Sequence, residues 1–388
     1  MTFRQLNFFS AEIIWSDIHK SLSNINWKQL MDQANSVEEA KKDFDDILLQ
    51  VCLQHVPKKR KIPKRSKYYS ERKTLMKKRA IKQKELCKEG NPYRRRKQEE
   101  AIVSIEQQIK GSHDQERREN EKKAIDKITK NSKFFFAYAA KSSTSKTKIG
   151  PLINDSGQLV DENKEMSELL SENYKRVFSI PKVTLQNPEI ASEFSLTNIN
   201  IDISEITKAI DDIGSNSASG PDDIPAILLK QCKLVLLCPI QMLWQKSLDT
   251  SDIPQTMKHA VIFPLAKGGC LTSPSNYRPI SLTSHVVKIF ERVMKGRIVN
   301  FLEKNKWFNS KQHGFRSKRS TLTQLLEHYD KITNGLCDGS NVDVIYLDFA
   351  KAFDKVDHSI LLSKLHNAGI QGNVYKWIKT FLKGRTQS

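Results

Sequence analysis

Paired cysteines are missing from this chain. Cys52, Cys87, Cys232, Cys238, Cys270 and Cys337 are scattered, with no Cys-x2-Cys and no histidine at zinc spacing, so neither a zinc site nor a disulfide is expected. Free thiols of this kind suit a reducing compartment. Long apolar runs are missing too: Leu234–Leu237 lies between Lys233 and Pro239, and the opening nine residues are too interrupted by polar side chains to be a signal segment. No segment is therefore expected to span a bilayer, no membrane partner is expected, and a nuclear or cytoplasmic location is expected. No internal repeat is present. Acidic residues are outnumbered, 44 Asp and Glu against 64 Lys and Arg, and the resulting net charge of +20 favours polyanionic partners.

Most of that charge sits in one tract. Lys58 to Lys97 holds 19 Lys and Arg against 3 Glu, a local +16. Before it, Ser36-Val37-Glu38-Glu39 has the form of a capping box, and Ala40, Phe44, Ile47, Leu48 and Val51 follow at helical spacing, so a helix is expected over 36–54, ended by Pro57. Beyond it, residues 98–133 have sparse apolar positions at helical spacing and predict two long helices broken near Gly111-Ser112. A linker at 141–148 and a hairpin at 150–157 open a new unit. Helices are expected at 161–177, 203–213, 283–305, from a Ser320 cap to Gly335, and at 357–367. Strands are expected from His259 to Pro264 and over Val342–Phe349, the latter from its alternation.

Seven strings in the second half carry more information than the periodicities. They are Ile149-Gly-Pro-Leu152, Ala218-Ser-Gly-Pro-Asp-Asp-Ile-Pro225, Ala260-Val-Ile-Phe-Pro-Leu-Ala-Lys-Gly-Gly269, Asn276-Tyr-Arg-Pro-Ile-Ser-Leu282, Phe290-Glu-Arg292, Gln312-His-Gly-Phe-Arg-Ser317 and Tyr346-Leu-Asp-Phe-Ala-Lys-Ala-Phe-Asp-Lys-Val-Asp-His358. Each alone is weak. In this order they resemble the reverse transcriptases of non-LTR (LINE-like) retrotransposons, particularly the jockey-like and CR1-like groups. The resemblance implies an α+β right-hand polymerase, with fingers and an incomplete palm, preceded by a mainly helical basic connector. The expected division is 1–149 connector, 150–240 N-terminal extension of the polymerase, and 241–388 reverse transcriptase domain. The implied partners are an RNA template, a DNA primer and deoxynucleotide triphosphates, with Mg²⁺ or Mn²⁺ as cofactor.

The same resemblance assigns roles. Asp348, at the end of the expected strand, matches the first metal-binding and catalytic aspartate, a hard oxygen ligand suited to such ions. Phe353 matches the aromatic ring beneath the incoming sugar, which would reject a 2′-hydroxyl, although its position beside Val356 also suits a core residue. The main-chain NH of Phe349 is placed at the triphosphate. Lys267 and Arg278 match basic residues of the fingers, where they would neutralise phosphate, or else are ordinary surface charge. Gly268 stands where the family carries a second basic residue. Arg316 suits either a template phosphate or a buried ion pair. The basic tract, with Lys58, Lys59, Arg60, Lys61, Lys64, Arg65, Arg94, Arg95 and Arg96 singled out and Tyr68, Tyr69 and Tyr93 interleaved, suits nucleic-acid backbone binding or a merely solvated helix. Pro57-Lys-Lys-Arg-Lys61 also has the pattern of a nuclear localisation signal.

One element of the family pattern is not found. An aromatic-Ala-Asp-Asp hairpin should follow the first aspartate, yet the 40 residues after Asp348 do not contain it. Asp45-Asp46, Asp211-Asp212 and Asp222-Asp223 all precede Asp348 and are expected in helices and a turn. The expectation is a truncated polymerase fragment that does not polymerise by itself. The alternative is a non-catalytic RNA- or DNA-binding protein derived from a retrotransposon.

Overall fold

The computed structural model describes residues 2–59, 67–87, 89–126, 149–178 and 193–388. Two compact units are present, Met1–Lys59 with Gly150–Ser388, and Arg60–Ile149. The first 59 residues thus pack with the segments that carry the motifs. The linker at 141–148 lies outside the described residues.

Three helices open the first unit: α1 (Trp15–Ser23), α2 (Trp27–Gln33) and α3 (Val37–His55). Ser36 caps α3 by accepting from the Glu39 backbone NH at 3.1 Å, and Ala40, Phe44, Leu48 and Val51 form its buried stripe. The chain then bridges back, Leu6 opposite Lys58 and the Lys59 NH donating to the Gln5 carbonyl at 2.7 Å, which fixes the start of the basic tract.

The second unit is a helical hairpin of α4 (Tyr69–Leu86) and α5 (Pro92–Asp126). The break expected near Gly111 does not occur. A single glycine costs a helix only about 1 kcal/mol relative to alanine, and its Glu-, Lys-, Gln- and Arg-rich flanks favour continuation. The seam is polar rather than apolar. Arg72 bonds Glu116 and His113, Lys67 reaches Glu119 at 2.8 Å, and the Tyr68 hydroxyl donates to Glu119. Tyr68 is therefore buried in the hairpin and unavailable for stacking on a base, whereas Tyr93 is exposed.

The first unit resumes with a short antiparallel pair, β1 (Leu152–Ile153) and β2 (Leu159–Val160), then α6 (Asn163–Lys175), α7 (Ile203–Asp211), α8 (Ala226–Gln231) and α9 (Lys233–Thr250). Strands β3 (His259–Ala266) and β4 (Tyr277–Leu282) form an antiparallel hairpin, and α10 (His285–Lys304), α11 (Thr321–Cys337), α12 (His358–Asn367), α13 (Gly372–Leu382) and β5 (Thr386–Gln387) complete the order. The sheet order is β4-β3-β5, with β5 parallel to β3 at His259 and Ala260 only. β3 runs two residues past the expected end at Pro264. Proline is tolerated there because that half of the strand pairs with β4 alone.

The core lies where α9, α10 and α13 meet. Trp244 stacks on Phe290 at 4.1 Å between centroids, Trp377 sets its edge against both, and the Trp377 indole NH donates to the Ser247 hydroxyl at 2.9 Å. Deeper polar packing joins α3 to the rest. Lys41, 1% exposed, bonds the Asp45 carboxylate and lies 3.7 Å from Asp222, whose carboxylate also accepts from the Ser284 hydroxyl at the α10 N-cap and from the Ile224 NH. Gly220 allows this approach, because a Cβ there would stand 2.3 Å from the backbone of Thr283 and Ser284.

The expected strand over Val342–Phe349 does not form. Alternation supplies a face, but a strand also needs a partner, and no described segment pairs with it. It follows α11 instead, the Tyr346 hydroxyl meeting His328 Nε2 at 2.8 Å. Ile345, Leu347 and Phe349 stand exposed, as do Leu322, Leu326 and Tyr329 of α11.

Candidate nucleotide site

The β3–β4 hairpin fixes the first half of the site. Leu265 is registered opposite Arg278 and Ala266 opposite Tyr277, and the Lys267 NH donates to the Asn276 carbonyl at 2.8 Å. Side chains alternate along a strand and directly opposed residues share a face, so Lys267, two beyond Leu265, projects on the same side as Arg278. Gly268 and Gly269, with φ of 103° and 80°, make the turn that follows. The substitution of Gly268 for a basic residue thus coincides with a left-handed backbone position.

The second half is the turn after Asp348. Asp354 and Lys355 donate their NH groups to the Lys351 carbonyl at 3.1 and 3.2 Å, with Lys351 at a left-handed φ of 54°. The Asp357 carboxylate then accepts from the Ser359 and Ile360 NH groups and starts α12, within one residue of the helix start expected from the sequence.

These halves enclose one cavity of about 570 Å³, whose lining includes Lys267, Arg278, Asp348, Phe349, Phe353 and Lys351. Five residues singled out from sequence for catalysis or nucleotide binding, 86 positions apart at the extremes of Lys267 and Phe353, therefore share one space. Neither Lys267 nor Arg278 has a carboxylate partner among the described residues, so both charges remain available to an anion. Tyr277 and Tyr174 form the inner wall. The Tyr277 hydroxyl donates to the Leu271 carbonyl at 2.7 Å, and burial, reinforced by Tyr277, pushes the Tyr174 phenol up to about 12. Tyr277 and Lys351 were not singled out from the sequence, although both sit inside quoted strings.

Other candidates lie elsewhere. Arg316 makes a two-pronged ion pair with Glu303, at 2.9 and 2.7 Å, and donates to the Asn309 carbonyl. That guanidinium holds the Glu303 carboxyl below its usual range. His313, buried, meets Thr323 at 2.8 Å and Glu327 at 3.0 Å, which ties the same turn to α11. Lys58 and Lys59 are exposed in the first unit, and Arg94, Arg95 and Arg96 are exposed at the start of α5. Arg60, Lys61, Lys64 and Arg65 lie outside the described residues. Among the described residues no three His, Cys, Asp or Glu side chains converge to hold a metal ion.

The cavity joins two unpaired basic side chains of a hairpin to an aspartate-bearing turn, a charge arrangement that suits an anionic ligand. Residues 265–388 match the family model for reverse transcriptase, an RNA-dependent DNA polymerase. The chain is 28% identical over 203 residues to the probable RNA-directed DNA polymerase from transposon BS of Drosophila melanogaster, covering 52% of this chain and 22% of that protein. It is 28% identical over 182 residues to the corresponding protein of transposon X-element, covering 47% and 20%, and 25% identical over 242 residues to that of mobile element jockey, covering 60% and 26%, both from the same fly. The match thus spans about a quarter or less of each relative's length. Residues 265–388 carry a reverse transcriptase domain of the non-LTR retrotransposon type.

Proposed function

We propose that this chain supplies the fingers and the first part of the palm of a right-hand RNA-directed DNA polymerase, with deoxynucleotide triphosphates, an RNA template and a DNA primer as its substrates. The observation that carries the reading is the gathering of Lys267, Arg278, Asp348, Phe349 and Phe353 around one cavity. Arg278 and Lys267 neutralise the triphosphate, the first as a planar fork and the second as a point charge. The Phe349 NH adds a neutral donor, and the Phe353 ring closes the space that a 2′-hydroxyl would need. In this reading 1–149 is the connector, 150–240 the N-terminal extension and 241–388 the polymerase domain.

Template-directed polymerisation uses two divalent ions held by several hard oxygen ligands. Mg²⁺ or Mn²⁺ would find Asp348, but the described residues offer no cluster of three donors around it, so the donor set does not fit a two-ion site. These 388 residues by themselves accordingly bind substrate without polymerising. A second reading, a non-catalytic nucleic-acid binder, draws support from α4 and α5, whose exposed Lys73, Lys77, Lys78, Arg94, Arg95 and Arg96 suit phosphate neutralisation.

Photo-crosslinking with thio-substituted dTTP tests the first reading. Adducts are expected within 267–280 and 348–354, with yield reduced about tenfold by Arg278→Ala, in line with the loss of a charge-assisted contact. Adducts confined to other segments, or yields indifferent to Arg278→Ala and Lys267→Ala, overturn it.

A further inference from the structure

A second cavity, of about 710 Å³, lies between α7, α10 and the turn at 315–317. Its lining includes Lys208, Arg292, Lys295 and Phe315, with Glu205 and Asp212 as its acids. Those acids are spoken for: Glu205 pairs with Arg297 at 2.8 Å and Asp212 lies 3.7 Å from Arg292. Lys208 and Lys295 have no carboxylate partner among the described residues, which leaves the cavity with two unneutralised ammonium groups.

Phe315 sits at the rim of this cavity in an unusual state. The residue is 80% exposed and its backbone takes a left-handed φ of 61°, a conformation that strains a residue with a Cβ. The residues beside it hold it there, Arg316 through Glu303 and Asn309, and Gly314 through the Gln312 side chain at 3.3 Å. The Phe315 ring stands perpendicular to Phe353, 6.1 Å between centroids, and Phe353 lines the nucleotide cavity. An exposed aromatic ring thus stands between a basic cavity and the candidate sugar gate.

We propose that Phe315 is a stacking platform for an unpaired base of a single-stranded RNA, with Lys208 and Lys295 holding that strand's phosphates. An aromatic face accepts any unpaired base and so suits a strand that must be read irrespective of sequence, whereas a duplex keeps its bases stacked on one another. The ring's contact with Phe353 would set that base next to the incoming nucleotide. This inference rests on the polymerase reading above, and it assigns a template position to residues that reading leaves unused.

The full chain, irradiated with an iodouridine-substituted oligo(U) RNA and mapped by peptide mass spectrometry, tests it. An adduct on Phe315 is expected. Phe315→Trp should keep the adduct, Phe315→Ala should abolish it, and Lys208→Glu with Lys295→Glu should raise the RNA concentration for half-maximal adduct by about tenfold or more. Adducts found only on α4 and α5, or none in 308–320, overturn the proposal. So does capture of this face by a protein in place of RNA. Thio-dTTP crosslinking of each variant separates the two readings: retained nucleotide adducts with no Phe315 adduct overturn this inference alone, and failure of the nucleotide adducts overturns the parent reading.

Discussion

Replacing Lys41 by methionine tests the buried polar packing that joins α3 to the Gly220–Asp223 turn. In the native chain the Lys41 ammonium bonds Asp45 and lies 3.7 Å from Asp222. Methionine keeps most of the volume and removes the charge, so two carboxylates face each other, with the Ser284 hydroxyl and the Ile224 NH as the remaining donors on Asp222. Removing one partner of a buried pair costs about 3–5 kcal/mol, because the other charge stays behind. The loss should depend on pH. Burial raises the Asp45 carboxyl to about 6, against the opposing pull of Lys41. The folded chain therefore holds this proton more tightly than the unfolded chain, and the stability it contributes is fully present below the ordinary aspartate range and lost as pH rises through about 6. Without Lys41 the carboxyl moves higher still. Urea unfolding of Lys41→Met should show the full loss near pH 8 and a clearly smaller one near pH 5, and adding Asp45→Asn should restore most of it. Equal losses at both pH values, or none, would refute the reasoning.

Gly220→Ala should lower stability by about 3 kcal/mol or more by urea titration, since the new methyl meets backbone and no flexible side chain can yield. Trp244→Ala, which removes the ring stacked between α9 and α10, should cost about 3–5 kcal/mol, read as a drop in Tm. Replacing Arg94, Arg95 and Arg96 together by alanine should weaken RNA and DNA binding to a similar degree and flatten its salt dependence by up to about three counterions, measured by anisotropy across a salt series.

The parts of this molecule legible in its sequence are those decided locally. Ser36, Ser320 and Asp357 stand at helix starts expected from the sequence, and the structure shows each one accepting from the NH groups that follow. The β3–β4 hairpin was half legible, its first strand from composition and its register only from pairing. Val342–Phe349 was misread because alternation states which face a strand would bury, not whether a neighbour is there to pair with it. Gly111 was misread for the opposite reason, since strong helix-forming flanks outweigh one weak residue. At the site, Asp348, Lys267 and Arg278 were named from the resemblance, because the approach of 267–280 to 348–354 is a long-range contact that no local pattern encodes. Phe315 belongs to the quoted Gln312–Ser317 string, but its exposure and left-handed backbone are properties of the folded turn that the string does not state.

Primer extension on poly(rA)/oligo(dT) with dTTP and Mg²⁺ or Mn²⁺ tests the central claim most directly, comparing this chain with one extended by the downstream region of the jockey relative. The account expects no incorporation by the 388 residues alone, incorporation by the extended chain, and its loss on Asp348→Ala. Incorporation by the 388 residues alone, or extended-chain activity that survives Asp348→Ala, would contradict it.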